Sequence, residues 1–429
     1  MALIVSIRHQ LFATTTALCI AMIAIMMMDC FSSSTMTFVM AQDPKSNVTQ
    51  LIQYWGYPVE QHYVQTEDGF ILSLQRIPHG RSEISKKIPQ GQRQLVFLQH
   101  GFLDCSSTWV NNLPYQSLGF ILADAGFDVW LGNVRGNEYS NRNIHYTTKD
   151  KQFWQFSWDE MAAYDLPAMV NYALRVSGQQ KLAYVGHSQG TTMAFECFTS
   201  MADSSTKYPA CPKDFTDKIS IFIAIAPVTF LQHPGSDLAK ALAKFHADEL
   251  LELLGVYEFL PTTQDLEKWI PGICSNSILK KPICLNTYCL MSGCDGLVTK
   301  CNQTRLSLYM DRLPAGTSTY NAGHWAQLIR SGKFQMFDYG ANNYQHYHQF
   351  SVPQIDLTKL HVDIAIYHGG LDVLGDVQDF QTFFNLIPKE RVKNVMFLPD
   401  YGHIDLVWGI DNYKHIFADI VKRITVSFN

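Results

Sequence analysis

Charge is scarce in this chain. Charged residues make up 17% of its 429 positions, and the formal net charge is −5. No basic run interleaved with aromatics occurs, so the electrostatic footprint of a nucleic-acid binder is missing. There is no internal repeat, and no low-complexity tract beyond the N-terminus, which argues against a repeat architecture or a disordered tail. After residue 41 no stretch is long and apolar enough to span a bilayer. The cysteines have irregular spacings with no His-x-His among them, so no metal site is expected.

What is present points to a large core. Hydrophobic residues reach 47% and aromatics 13%, with 26 Phe, which supports an extensive buried interior plus an apolar binding surface. The length allows two to three domains, or one α/β domain with insertions. Residues 1–41 read as a targeting segment: Arg8 and His9, an apolar run over 11–28, a polar stretch over 32–35, and Val39-Met40-Ala41 as a small-residue cleavage site. A retained signal anchor is the alternative. Passage into the secretory pathway agrees with two glycosylation sequons, at Asn47 and Asn302. It also agrees with a cluster of five cysteines, Cys274, Cys284, Cys289, Cys294 and Cys301, which reads as a local disulfide staple with at least one member free or paired elsewhere.

The organising stretch is Gly186-His187-Ser188-Gln189-Gly190. A short β-branched and apolar run (181–185) precedes it and a helical run (191–199) follows, the strand–turn–helix context of a nucleophile elbow. The flanking glycines let the serine take a strained backbone conformation that lifts its hydroxyl above the sheet. Around it, strands are expected over 70–77, after an Asp68-Gly69 hairpin turn, and over 95–98, 127–131 and 219–226. Helices are expected over 118–125, capped by Gly126, and over 157–175, with a capping box at Ser157 and a kink at Pro167. Near-continuous apolar strands alternating with helices give an α/β fold with a mostly parallel sheet. The alternation breaks over 229–355, where an amphipathic helix is expected at 238–254. It resumes with a strand over 361–367, a helix over 377–387, a strand over 392–398 and a helix over 413–424. The expected organisation is therefore a leader (1–41), a first core part (42–228), an inserted, mainly helical cap (229–355) and a second core part (356–429).

A serine needs a base, and the base needs an anion to fix its tautomer. Asp372 follows the strand at 361–367 in His368-Gly369-Gly370-Leu371-Asp372, and His403 follows the last strand in Pro399-Asp400-Tyr401-Gly402-His403. These two complete the order Ser, acid, His. Asp376 and Asp379 read as N-terminal charges of the next helix, and Asp400 and Asp405 lie too near the histidine. His187 and His368 read as structural, and Trp325 as core packing. His346-Tyr347-His348 lacks a third ligand nearby. The oxyanion donors would be the N–H of Gln189 and the N–H of Phe102, in the loop after the strand at 95–98.

With these residues in place the chain resembles the acid lipases of the gastric and lysosomal type. The likeness runs from about residue 47 to the C-terminus. It is carried by the strings over 54–58, 98–101, 120–136, 159–167, 184–192, 314–318, 331–335 and 401–408. The resemblance implies an α/β-hydrolase core with a lidded cap. It implies hydrolysis of triacylglycerols or cholesteryl esters at acidic pH, with no metal, colipase or other cofactor. It supports Ser188, Asp372 and His403 as a triad, with Phe102 and Gln189 at the oxyanion, and implies a Cys284–Cys294 disulfide with Cys274 free. Phe102 stands where the family carries Leu, Gly402 where it carries Asn, and Cys289 and Cys301 are extra.

The expected function is a secreted or lysosomal serine lipase acting on neutral lipid at a lipid–water interface, with no nucleic-acid or metal partner. An esterase for smaller soluble esters and a non-catalytic lipid carrier are the alternatives.

Overall fold

The structure is a computed structural model that describes residues 47–83, 92–199, 211–212, 214–260 and 300–428. The leader and the cysteines at 274, 284, 289 and 294 lie outside the described residues.

The first strands form a hairpin. β1 (Glu60–Gln65) pairs antiparallel with β2 (Phe70–Ile77), and Gln65 faces Ile71 across the turn at Asp68-Gly69. β3 (Leu95–Gln99), β4 (Asp128–Gly132), β6 (Leu182–His187), β7 (Ile219–Ile225), β10 (Ile364–Gly369) and β11 (Val392–Leu398) run parallel to one another, and β4 at the end of this run pairs antiparallel with β2. The two-residue β5 (Arg142–Asn143) pairs with β2, and the main order is β1-β2-β4-β3-β6-β7-β10-β11. The mostly parallel sheet expected from the sequence is present.

β3, β4, β6 and β10 are buried along their whole length, because helices cover both faces of the sheet. Side chains alternate between two cores. Phe97, Tyr184 and Phe222 pack with Met161, Met169 and Phe195 on one face. Val96, Val185 and Ile223 pack with Phe120, Ile416 and Ile420 on the other. This period of two divides one apolar run between two helical layers. The outermost strands differ: β11 alternates half-buried with exposed, and β1 is mostly exposed.

Local signals held in part. The Ser157 capping box is formed, with Glu160 reaching back to the Ser157 amide. The helical run expected over 157–175 is not a uniform α-helix. A π-helical turn, Met161–Asp165, precedes Pro167, which sits in the first turn of the helix Leu166–Ser177, where its missing N–H is tolerated. The amphipathic run at 238–254 is two helices, Asp237–Lys244 and Ala247–Leu253, broken where His246 adopts φ +51°. The helix Thr319–Ser331 packs against both. Nearby, β8 (Glu258–Phe259) pairs with β9 (Thr317–Ser318).

Candidate active site

The parallel register brings the carboxyl ends of five strands to one edge. Gln99 lies beside Gly186, His187 beside Ile225, Ile225 beside Tyr367, and Gly369 beside Leu398. The loops and the helix start at this edge carry Phe102, Ser188, Gln189, Asp372 and His403, as expected for an open parallel sheet.

Ser188 sits between β6 and the helix Gln189–Thr199 with φ +52°, in the left-handed region. Its amide donates to the Ile225 carbonyl (3.1 Å), and its carbonyl accepts from the Thr191 amide (2.7 Å). The glycines are sterically required: a Cβ at Gly186 would lie 2.7 Å from the Gly190 carbonyl oxygen, and one at Gly190 would lie 2.6 Å from that of Gln99. The helix therefore begins hard against the end of β3. Gly101 is as close, since a Cβ there would stand 2.9 Å from Ser188 Cβ. This contact sets the Phe102 backbone beside the elbow.

Asp372 and His403 meet. His403 Nδ1 is 2.8 Å from Asp372 Oδ2, and both residues are buried. Asp372 Oδ1 accepts from the amides of Leu374 (2.9 Å) and Gly375 (2.7 Å). An ionised carboxylate only accepts, so Nδ1 carries the imidazole proton and Nε2 presents a lone pair. Burial by itself raises the Asp372 carboxyl. The His403 ring and the two amides outweigh it and hold the group below the usual carboxylate range. His403 Nε2 is buried without a hydrogen-bond partner among the described residues, so no bond to Ser188 Oγ is closed.

The two loops are stitched together: the Gly370 amide donates to Leu398 O (2.9 Å) and the Leu371 amide to Tyr401 O (3.0 Å). Asp405, set aside as the acid, accepts from the Gly402 amide (2.9 Å) and so braces the histidine loop. His187 Nε2 donates to the His403 carbonyl (3.4 Å), and burial pushes its own titration down to about 3. Asp376 caps the helix Val377–Leu386 through the Gln378 amide (2.7 Å). Asp379 lies in the first turn of the same helix, as expected, and also accepts from the His233 amide (2.9 Å) and meets its Nδ1 (3.0 Å), a tie that residue order did not reveal. His368 stacks on Phe380 with ring centroids 4.0 Å apart.

The loop after β3 is held by a neutral histidine. His100 Nε2 accepts from the Val134 amide (3.3 Å) and from Asn137 Nδ2 (3.2 Å), so Nδ1 holds the proton and donates to Gly101 O (2.9 Å). Burial lowers its pKa to about 4. Leu103 takes φ +57°, and its carbonyl accepts from the Ala315 amide (2.8 Å).

Above Ser188 lies a cavity of about 160 Å³ lined by Phe102, Leu231, Ala243, Leu251, Trp325 and others, apolar but for Ser188 and Asp248. Trp325 is therefore not simple core packing: it faces the cavity, and its Nε1 donates to Gln189 Oε1 (2.8 Å). Such a space accepts hydrocarbon and rejects charge. Among the described residues no group of three or more His, Cys, Asp or Glu could hold a metal ion, and His346 stacks on Tyr339.

Asn47 is exposed and caps the helix Val48–Tyr54. Asn302 is half-buried, and its Nδ2 donates to Gln116 Oε1 (3.0 Å). The Cys284–Cys294 pair implied by resemblance lies outside the described residues. A disulfide that the sequence reading did not single out joins Cys197 and Cys211, while Cys105 and Cys301 are buried and free among the described residues.

Known proteins resemble this chain in sequence and in fold. The model of a partial alpha/beta-hydrolase lipase region matches residues 48–113, and that of the alpha/beta hydrolase fold matches 94–198. Gastric triacylglycerol lipase of Rattus norvegicus is 41% identical over 382 residues, covering 88% of this chain and 91% of that protein. Lysosomal acid lipase/cholesteryl ester hydrolase of Homo sapiens is 40% identical over 390 residues, covering 89% and 92%. Among solved structures, a soluble variant of monoglyceride lipase from Saccharomyces cerevisiae shares the fold, with a TM-score of 0.50 at 16% identity, covering 86% of this chain and 96% of that one. Sheet order, elbow and matched models define an α/β hydrolase. Within that class, the chain belongs to the acid lipase family of gastric and lysosomal type.

Proposed function

We propose that this protein is a serine lipase that hydrolyses carboxylic esters of neutral lipids, triacylglycerols and cholesteryl esters among them. The observation that carries the reading is the Asp372–His403 pair at the sheet edge where Ser188 stands strained beneath an apolar cavity. Ser188 Oγ attacks the ester carbonyl while His403 Nε2 takes its proton. Asp372 holds the ring in that tautomer and stabilises the imidazolium. The amides of Gln189 and Phe102 receive the oxyanion. His403 then returns the proton to the leaving alcohol, and water, activated by the same histidine, releases the fatty acid from the acyl-enzyme. Catalytic hydrogen bonds commonly tighten only as substrate arrives, which accommodates the unpartnered Nε2. The acyl chain occupies the cavity under the helices at 237–253 and 319–331, and residues 229–355 serve as the cap.

Residues 1–41 direct the chain into the secretory pathway toward secretion or the lysosome, and Asn47 and Asn302 are its glycan acceptors. The strained elbow and the intact Asp–His pair disfavour a carrier that has lost its chemistry.

The test is fatty-acid release by purified protein from emulsified triolein and cholesteryl oleate across acidic and neutral pH. Ser188→Ala is expected to fold and to lose roughly three or more decades of turnover. Retained hydrolysis by that variant sinks the assignment. Activity confined to soluble short esters, falling above their micelle point, would favour the small-ester esterase.

A further inference from the structure

Gln189 has a side chain as well as an amide, and the side chain is held from outside the sheet domain. Its Oε1 accepts two hydrogen bonds: from Trp325 Nε1 at 2.8 Å and from Asn321 Nδ2 at 3.0 Å. The indole N–H can only donate, so the atom it meets is the amide oxygen and the orientation of Gln189 is fixed. Asn321 and Trp325 are four residues apart on the helix Thr319–Ser331, hence on one face. Asn321 is itself fixed. Its amide donates to Ser318 Oγ (2.9 Å), its Nδ2 also donates to Thr317 Oγ1 (3.1 Å), and it is fully buried.

We infer that Asn321 and Trp325 are positioning residues that hold the oxyanion amide through the side chain of Gln189. This rests on the reading of Ser188 and Gln189 given above. Gln189 is the first residue after a serine at φ +52°, so its peptide plane sits at a strained junction. Rotation of that plane moves the N–H that must meet the oxyanion. A side chain locked by two donors from a separate element resists the rotation, and displacement of about 1 Å at such a group is enough to lower turnover about 10²-fold. The lock also reaches substrate. The Trp325 ring that supplies one donor lines the cavity, with its centroid 6.4 Å from the ring of Phe102, the other oxyanion residue. An acyl chain packed against Trp325 therefore bears on the group that aligns the oxyanion donor.

The experiment uses the full chain with Trp325→Phe, Asn321→Leu, Gln189→Met and their combinations. Active sites are counted with a fluorophosphonate, so that kcat is expressed per competent serine. Hydrolysis of p-nitrophenyl butyrate is measured together with inhibition by butylboronic acid, whose tetrahedral adduct occupies the oxyanion position. Each single variant is expected to lower kcat per site roughly 10- to 100-fold, less than or equal to removal of a donor, while KM moves less than about threefold. Boronate affinity is expected to fall by the same factor as kcat/KM. In the Gln189→Met background, Trp325→Phe and Asn321→Leu are expected to change kcat less than about twofold, since both act through Gln189.

Three results overturn the inference: kcat per site within twofold of the parent, fewer competent sites or a lower Tm with per-site kcat preserved, or losses that multiply in the Gln189→Met background. Should Asn321→Leu fail to fold, Trp325→Phe, which keeps an aromatic ring in the cavity, carries the comparison. Turnover surviving in Ser188→Ala overturns the site reading along with this one. An inactive Ser188→Ala beside unaffected Trp325 and Asn321 variants overturns this inference alone.

Discussion

A methyl group added at Gly190 would meet the Gln99 carbonyl at 2.6 Å and the His100 carbonyl at 2.9 Å. Both are backbone atoms of the β3 end and the loop that carries Phe102, so neither yields without moving the side of the site where the oxyanion is proposed to sit. Gly190→Ala is expected to destabilise by roughly 2–3 kcal/mol through overpacking. It is also expected to lower kcat/KM by at least about 10²-fold through displacement of Ser188 from Phe102. Thermal melts and ester kinetics on the one purified variant check both. A Gly190→Ala protein with parental kinetics would show that the elbow tolerates a shifted helix.

At the scale of an element, the loop over 100–105 combines a neutral buried histidine with a buried carboxyl. Asp104 accepts from the Cys105 amide (2.7 Å), and burial raises its pKa to about 7. Glu196, on the helix after Ser188, is likewise raised by burial and then by the neighbouring charges of Asp159 and Glu160. A carboxyl whose folded pKa exceeds its unfolded value contributes stability that is complete below about pH 4 and is lost as pH rises through the folded value. For Asp104 that window runs from about pH 4 to about pH 7. The protein is therefore expected to melt at a higher temperature in mild acid than at neutral pH. Asp104→Asn removes the ionisation. The variant is expected to gain on the parent at pH 7.5, relative to pH 4.5, by at least about 3 °C in Tm. Parallel melting curves for parent and variant across this range would rule out the buried carboxyl as a source of acid stability.

Across the whole molecule, helices on both faces bury the sheet, and a disulfide among the described residues reinforces that packing. Cys197, near the end of the elbow helix, is bonded to Cys211, which precedes β7, with 14 residues of sequence separation. Closing a loop of this length restricts the unfolded chain by roughly 3 kcal/mol. Cys197→Ser with Cys211→Ser is expected to lower Tm by roughly 6 °C and to leave kcat on a soluble ester within about twofold, because the link lies at the far end of the helix from Ser188. Calorimetry and ester kinetics on the double variant check this. A loss of turnover larger than the loss of folded protein would place the link in the catalytic geometry instead.

The sequence by itself determined the class of fold, the elbow and the order of its partners. Period-two burial, glycine punctuation and the G-x-S-x-G spacing are local, and the register of a parallel sheet then brings the loops after β3, β6, β10 and β11 to one edge. It also marked the capping box at Ser157 and the acidic start of the helix Val377–Leu386, because such signals depend on residues a few positions away. Tertiary structure alone decided the rest. Nothing local distinguishes the Trp325 that bonds Gln189 from a core tryptophan, or the Asp405 that braces Gly402 from a spare carboxylate. The break at His246, the π-turn before Pro167 and the Cys197–Cys211 pair are equally silent in residue order. These features depend on which side chains and backbone groups meet across distant segments, and a hydrogen bond or a close contact is set by that meeting in space rather than by either residue alone.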